Sequence, residues 1–152
     1  MLQKLITFIL LAVLAASCKT DVTDYGPIDK KTIEAYLAAN NLTAQSTASG
    51  LYYIIEKPGG VNHPTINSSV AVNYKGYLTD GTVFDASYSS GTPANFALNA
   101  LVAGWQEGLQ LIGLKGKIKL LIPSALGYGS TAKTGIPANS VLIFDIELVE
   151  FY

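Results

Sequence analysis

The sequence predicts an α+β fold in which an antiparallel sheet packs on a short helix. Three observations carry that reading. From residue 51 onward most apolar runs alternate with polar residues at the two-residue period of a half-buried strand. The connections between those runs are mostly too short for the helical crossovers that parallel strands need. Helical spacing appears in only two short stretches, residues 29–41 and 101–111, and helices of that length must dock on something to persist.

Residues 1–17 contain thirteen apolar residues behind a single early positive charge, Lys4. As helix, the apolar run from residue 5 to 16 would rise ~18 Å, short of a ~30 Å hydrocarbon core. It therefore reads as the apolar segment of an export signal rather than a membrane span. Ala15-Ala16-Ser17-Cys18 then resembles a bacterial lipobox, in which the Cys becomes the acylated first residue. Such boxes usually carry Leu three residues before the Cys; here that position is Ala15, with Leu14 one step earlier. An ordinary cleaved signal with a chance Cys is the competing reading. With residues 1–17 removed, 62 of 135 residues are apolar, an average content for a globular domain.

Residues 18–27 are polar and read as a tether, and residues 28–48 as a short helix with a linker. In that helix Asp29 is a candidate cap, Ile33, Tyr36 and Leu37 form an apolar stripe, and Asn40-Asn41 is a stop signal. Residues 43–50 are loop by composition. Residues 49–152 form the main domain. Strands are expected at 51–56, 70–78, 83–85, 95–98, 116–123 and 141–151, with Asp80-Gly81 as a hairpin turn. Lys115, Lys117 and Lys119 read as a solvated strand face. Residues 86–94 and 124–140 read as loops, the second around Tyr128-Gly129 and Gly135-Ile136-Pro137.

Composition excludes several chemistries. One Cys permits neither an intrachain disulfide framework nor a Cys-cluster metal site. The single His, His63, has no nucleophile motif beside it, so a catalytic triad is not expected. Ten Lys, no Arg and eleven acidic residues give a net charge of −1, without the basic footprint of a nucleic-acid binder. No metal or cofactor is expected.

Six motifs occur in order between residues 49 and 151. Ser49-Gly50-Leu51-Tyr52-Tyr53 comes first, then Val72-Asn73-Tyr74-Lys75-Gly76-Tyr77-Leu78 with Asp80-Gly81-Thr82-Val83-Phe84-Asp85-Ala86-Ser87. Gly104-Trp105-Gln106-Glu107-Gly108-Leu109 follows, then Gly116-Lys117 and Ile122-Pro123, then Leu126-Gly127-Tyr128-Gly129 with Gly135-Ile136-Pro137-Ala138-Asn139-Ser140. Val141 to Leu148 closes the set. This series resembles the FKBP family of peptidyl-prolyl cis/trans isomerases, in its membrane-anchored bacterial lipoprotein form. The resemblance implies a strongly twisted antiparallel sheet wrapped on one short helix, with the ligand pocket between them. It makes Trp105 the pocket floor and Tyr74, Phe84, Phe96 and Phe144 its aromatic walls. Leu101, Val102 and Ile136 join them as substrate-binding positions, and Asp85 and Tyr128 are set beside Trp105 as catalytic. Proline-containing polypeptide clients, macrolide ligands of the rapamycin type and, through acylated Cys18, a lipid membrane are the implied partners. An exported, periplasmic or cell-surface location follows.

The implied chemistry suits these residues. Rotation about an X–Pro bond is opposed by a barrier of ~18–20 kcal/mol from amide resonance, and no covalent bond need break. A dry apolar pocket disfavours the polar planar amide relative to the twisted one. The Tyr128 hydroxyl and the backbone N–H near Val102 are candidate donors to substrate carbonyls, and Asp85 acts by orientation and electrostatics. Plainer roles fit too: Tyr74 and Phe144 as core, Asp85 as a brace for loop backbone, Tyr128 as a loop peg. Two features depart from the family pattern. Ala94 stands where many members carry an aromatic, and residues 86–94 lack the basic partner expected near Asp85. A weakly active or inactive client-binding module, acting as a membrane-anchored chaperone, is therefore the alternative function.

Overall fold

The structure, a computed structural model, describes residues 23–87 and 91–152. Residues 1–22, on which the expected export signal and Cys18 fall, lie outside the described residues. In chain order the elements are α1 (Gly26–Ala39), β1 (Gln45–Ser46), β2 (Tyr52–Lys57), β3 (Ser69–Tyr77), β4 (Val83–Ala86), β5 (Ala94–Ala97), α2 (Ala103–Gly108), β6 (Lys117–Ile122) and β7 (Leu142–Phe151). Short 3₁₀ turns span Leu98–Ala100, Leu109–Leu111 and Ser124–Leu126. The α+β reading holds: the strands form one antiparallel sheet ordered β1-β2-β6-β7-β3-β4, with β5 also paired to β3. β3 thus has β7 along one side and shares its other side between β5, at Ser69 to Val72, and β4, at Lys75 to Tyr77. Gly81 turns β3 into β4 with φ +89°, a value open to glycine but strained for most residues.

The front face carries the larger core. Alternate residues Phe144, Ile146 and Leu148 of β7 and Ile118, Leu120 and Ile122 of β6 pack there with Leu109 and Ile112. α2 lies close on β6 because two of its residues have no side chain. A Cβ on Gly104 would stand 2.6 Å from Ile122 Cγ2, and one on Gly108 2.6 Å from Leu120 Cδ2.

The back face is not simply wet. Ile33 and Leu37, one turn apart on α1, bury against Leu121, Val141 and Ile143. The expectation that Lys119 belongs to a solvated face fails for this reason. Its side chain is 13% exposed, pairs with Asp145 directly opposite on β7, and donates to the Tyr77 hydroxyl at 2.7 Å. Lys117 remains half-exposed, 3.8 Å from Glu147.

Three further expectations are corrected. α1 starts three residues early, with Pro27 in its first turn where a missing N–H is harmless. Asp29 therefore lies within the helix's first turn, not at its cap, is 2% exposed, and caps a different element. The 43–50 loop contains β1, paired with Tyr52 and Tyr53 of β2. The 101–111 helix is interrupted: Leu101 and Val102 are extended, and only Ala103–Gly108 is α-helical.

Candidate active site

Tyr74 is gripped from two sides by the segment after β4. Its backbone N–H donates to Ser87 Oγ at 2.8 Å, and its carbonyl accepts from the Ser87 N–H at 3.0 Å. Its hydroxyl donates to Asp85 Oδ2 at 2.6 Å, so the partner that the sequence left undefined for Asp85 is Tyr74. Burial, then the hydrogen bond to Asp85, push the Tyr74 phenol above its ordinary range, so it stays a neutral donor at physiological pH.

The helix N-terminus is held in the same local way. Gln106 Nε2 donates to the carbonyls of Leu101 at 2.7 Å and Asn99 at 3.2 Å, pinning the extended pair ahead of α2. Ser49 donates to Glu107 at 2.6 Å, tying α2 to the β1–β2 turn. Trp105 projects from α2 into the sheet and is 4% exposed. Around it stand Tyr74 at 5.2 Å, Phe144 at 5.1 Å and Phe96 at 6.2 Å between ring centroids, all near-perpendicular. Phe84 meets Phe144 edge-on at 5.5 Å. Edge-to-face rings are favourable pairs and, being rigid, hold a shape that does not collapse.

The rings enclose one side of a cavity of about 550 Å³, within the size range of small-ligand sites. All ten residues named from the sequence as catalytic or substrate-binding line it: Tyr74, Phe84, Asp85, Phe96, Leu101, Val102, Trp105, Tyr128, Ile136 and Phe144. Ile136 is buried, while Tyr128 is 38% exposed at the rim. Ala94 packs against the front core, and Phe96 brings the aromatic wall from that strand. The polar groups at the cavity without a hydrogen-bond partner among the described residues include two at the short helix that floors it. One is the Val102 N–H at the start of α2, a free donor on the cavity lining. The other is the buried Trp105 Nε1–H, enclosed among the surrounding rings.

Sequence reasoning missed Lys133 and Thr134, which also line the cavity. The Lys133 and Ile136 backbones exchange two 2.9 Å hydrogen bonds around Thr134-Gly135, folding this part of the loop over the mouth. The Thr-Gly pair was the available signal. Lys133 Nζ lies 5.6 Å from the Tyr128 ring centroid, a cation–π distance.

The structure is thus an antiparallel sheet folded against a short helix, with an aromatic-walled cavity between them. The model of the FKBP-type peptidyl-prolyl cis-trans isomerases matches residues 60–149, and the chain belongs to that family. It is similar to FkpA of Aeromonas hydrophila, 47% identical over 80% of this chain and 46% of that protein. FkpA of Escherichia coli K12 is 41% identical over 89% of this chain and 49% of its own. The chain spans about half the length of these curated relatives. The crystal structure of Escherichia coli FkpA superposes with a TM-score of 0.74, covering 80% of this chain and 57% of that one. A peptidyl-prolyl isomerase from Pseudomonas syringae superposes at 0.69 with 31% identity, covering 85% of this chain and 98% of that one.

Proposed function

We propose that the chain catalyses cis/trans isomerisation of X–Pro bonds in exported polypeptides. The aromatic cup is the observation that carries the reading. A prolyl ring seated on Trp105 leaves its amide between apolar walls, where loss of charge separation on twisting is favoured over the planar form. The Val102 N–H supplies an unpaired donor for a substrate carbonyl, and the exposed Tyr128 hydroxyl a second. Asp85, held by Tyr74, acts by orientation and electrostatics at the mouth and takes no part in proton transfer. Because nothing covalent changes, positioning and desolvation are all the residues need to provide. Binding of a rapamycin-type macrolide in the same cup would be read as quenching of Trp105 fluorescence.

The chain, followed in a protease-coupled assay on an X–Pro tetrapeptide, should accelerate an exchange that takes tens of seconds or more uncatalysed. Peptide binding without acceleration would mean a client-holding module instead. Residues 1–18 support export and lipid anchoring, since acyl chains hold a protein at a membrane by ~0.8 kcal/mol per buried CH₂. Among the described residues no helix is long and apolar enough to cross a membrane. Cys18→Ser should move the protein from the membrane pellet to the soluble fraction; retention in the pellet would refute the anchor.

A further inference from the structure

Asp29 is an acidic side chain buried to 2% exposure, on a helix that lies before the matched family region. Its Oδ2 accepts two hydrogen bonds from one residue 95 positions away. The Ser124 backbone N–H donates at 2.8 Å and the Ser124 hydroxyl at 2.6 Å. Ser124 opens the 3₁₀ turn Ser124–Leu126, so its N–H would otherwise be an unpaired donor at a helix start. A carboxylate from α1 caps that turn from across the fold.

Ser124 is also the anchor of the segment that presents Tyr128. Its carbonyl accepts from the Gly127 N–H at 3.0 Å and from the Gly129 N–H at 2.8 Å, the amides on either side of Tyr128. The Gly129 carbonyl in turn accepts from the Asn139 N–H at 2.8 Å, where the loop returns to β7. Every polar backbone group of Ser124 is thus committed, one end to Asp29 and the other to the turn carrying Tyr128. Nothing else polar reaches Asp29 Oδ2 among the described residues, and its place in the first turn of α1 puts the anion near the favourable end of the helix dipole. Burying a carboxylate without partners is costly, so the pair is strongly mutually dependent.

We propose that Asp29 is a positioning residue for the active site: through Ser124 it sets the placement of the Tyr128 hydroxyl, and α1 thereby couples the N-terminal region to the pocket. The proposal rests on the isomerase reading for its kinetic arm only.

The test combines Asp29→Ala and Asp29→Asn with Tyr128→Phe in the full chain. Asp29→Ala should lower kcat/KM about tenfold, while Asp29→Asn, which keeps an acceptor oxygen, should recover to within about twofold. In a Tyr128→Phe background the Asp29→Ala loss should shrink to less than about twofold, because coupled sites are not additive. An equal loss in both backgrounds would mean that Asp29 only stabilises the fold and would overturn the proposal. Hydrogen exchange supplies an arm independent of activity. Asp29→Ala should speed exchange of the Gly127 and Gly129 amides while the β3–β7 amides keep their protection; unchanged exchange at both glycines would also overturn it. Ser124→Ala, which leaves the backbone N–H in place, should show the same pattern at smaller size if Asp29→Ala does not fold. If the wild-type chain shows no isomerase activity, the function reading fails, and the exchange arm still decides whether Asp29 holds the loop.

Discussion

On the front of the sheet, rings from β3, β4, β5, β7 and α2 meet edge-on and stop short of filling the space between them, leaving about 550 Å³ open. On the back, Ile33 and Leu37 of α1 close directly on the aliphatic chains of Leu121, Val141 and Ile143. The same two strands serve both sides: Leu120 and Phe144 face forward, Leu121 and Ile143 backward. What differs is the kind of side chain. Branched aliphatic residues interdigitate to interior density. Stiff aromatic rings can surround a void without falling into it. The back face is therefore packing alone, while the front face joins the larger core to a shaped cavity, and substitutions at the back should largely spare activity.

Leu121→Ala gives a large expected effect on stability at the back face. It removes a fully buried side chain under α1 and should cost about 2–5 kcal/mol in a denaturant melt. Activity per folded molecule should stay within about twofold. Trp105→Ala is its counterpart, lowering kcat/KM by about a hundredfold, or ~2.7 kcal/mol of transition-state stabilisation. If Leu121→Ala cut activity as deeply as Trp105→Ala, the division between the faces would be wrong.

Gly76→Ala tests where the division lies. A Cβ there would stand 2.6 Å from both Phe144 Cε1 and Phe84 Cε2, so the wall rings must shift. Overpacking of this kind typically costs 1–3 kcal/mol, and stability and activity should fall together. Tyr128→Phe should reduce kcat/KM about tenfold with no change in melting, because the rim side chain has little to pack against. Lys117→Ala, on the outer part of the sheet, should change neither.

The smallest effect compares Tyr74 on the front with Tyr77 at the back. Burial, followed by hydrogen bonding to Asp85 for Tyr74 and to Tyr36 for Tyr77, raises both phenols above 10.0. The folded state then holds protons that the unfolded chain releases. The resulting stability is present in full below pH 10.0 and is lost as pH climbs further. Tyr74→Phe and Tyr77→Phe should each flatten the fall in denaturant midpoint above about pH 10.

Local signals explain how much of this was readable in the sequence. Alternation marked the strands, Asp80-Gly81 marked the hairpin, and the ordered motifs brought the cavity's aromatic residues together before any coordinates. What stayed hidden depends on partners far away in the chain. Asp29 ahead of an apolar stripe looks like a helix cap, and only the fold brings Ser124 to it. Lys119 looks solvated until Tyr77 and Asp145 are placed beside it. The 116–123 strand reads as though one side were wet, because α1, whose Ile33 and Leu37 cover that side, lies far earlier in the chain. Thr134-Gly135 marks the turn beside Lys133, but only the fold lays that turn against the cavity.

The central claim is that the front cavity turns over prolyl amides. Two-dimensional exchange NMR on an X–Pro peptide measures that step directly, without a coupling protease. With the wild-type chain at catalytic concentration, cis and trans resonances should show exchange cross-peaks within a second or less, against tens of seconds or more without it. Those peaks should vanish with Trp105→Ala and persist with Leu121→Ala below its melting temperature. Cross-peaks that survive Trp105→Ala, or that never appear with the folded wild-type chain, would contradict the claim.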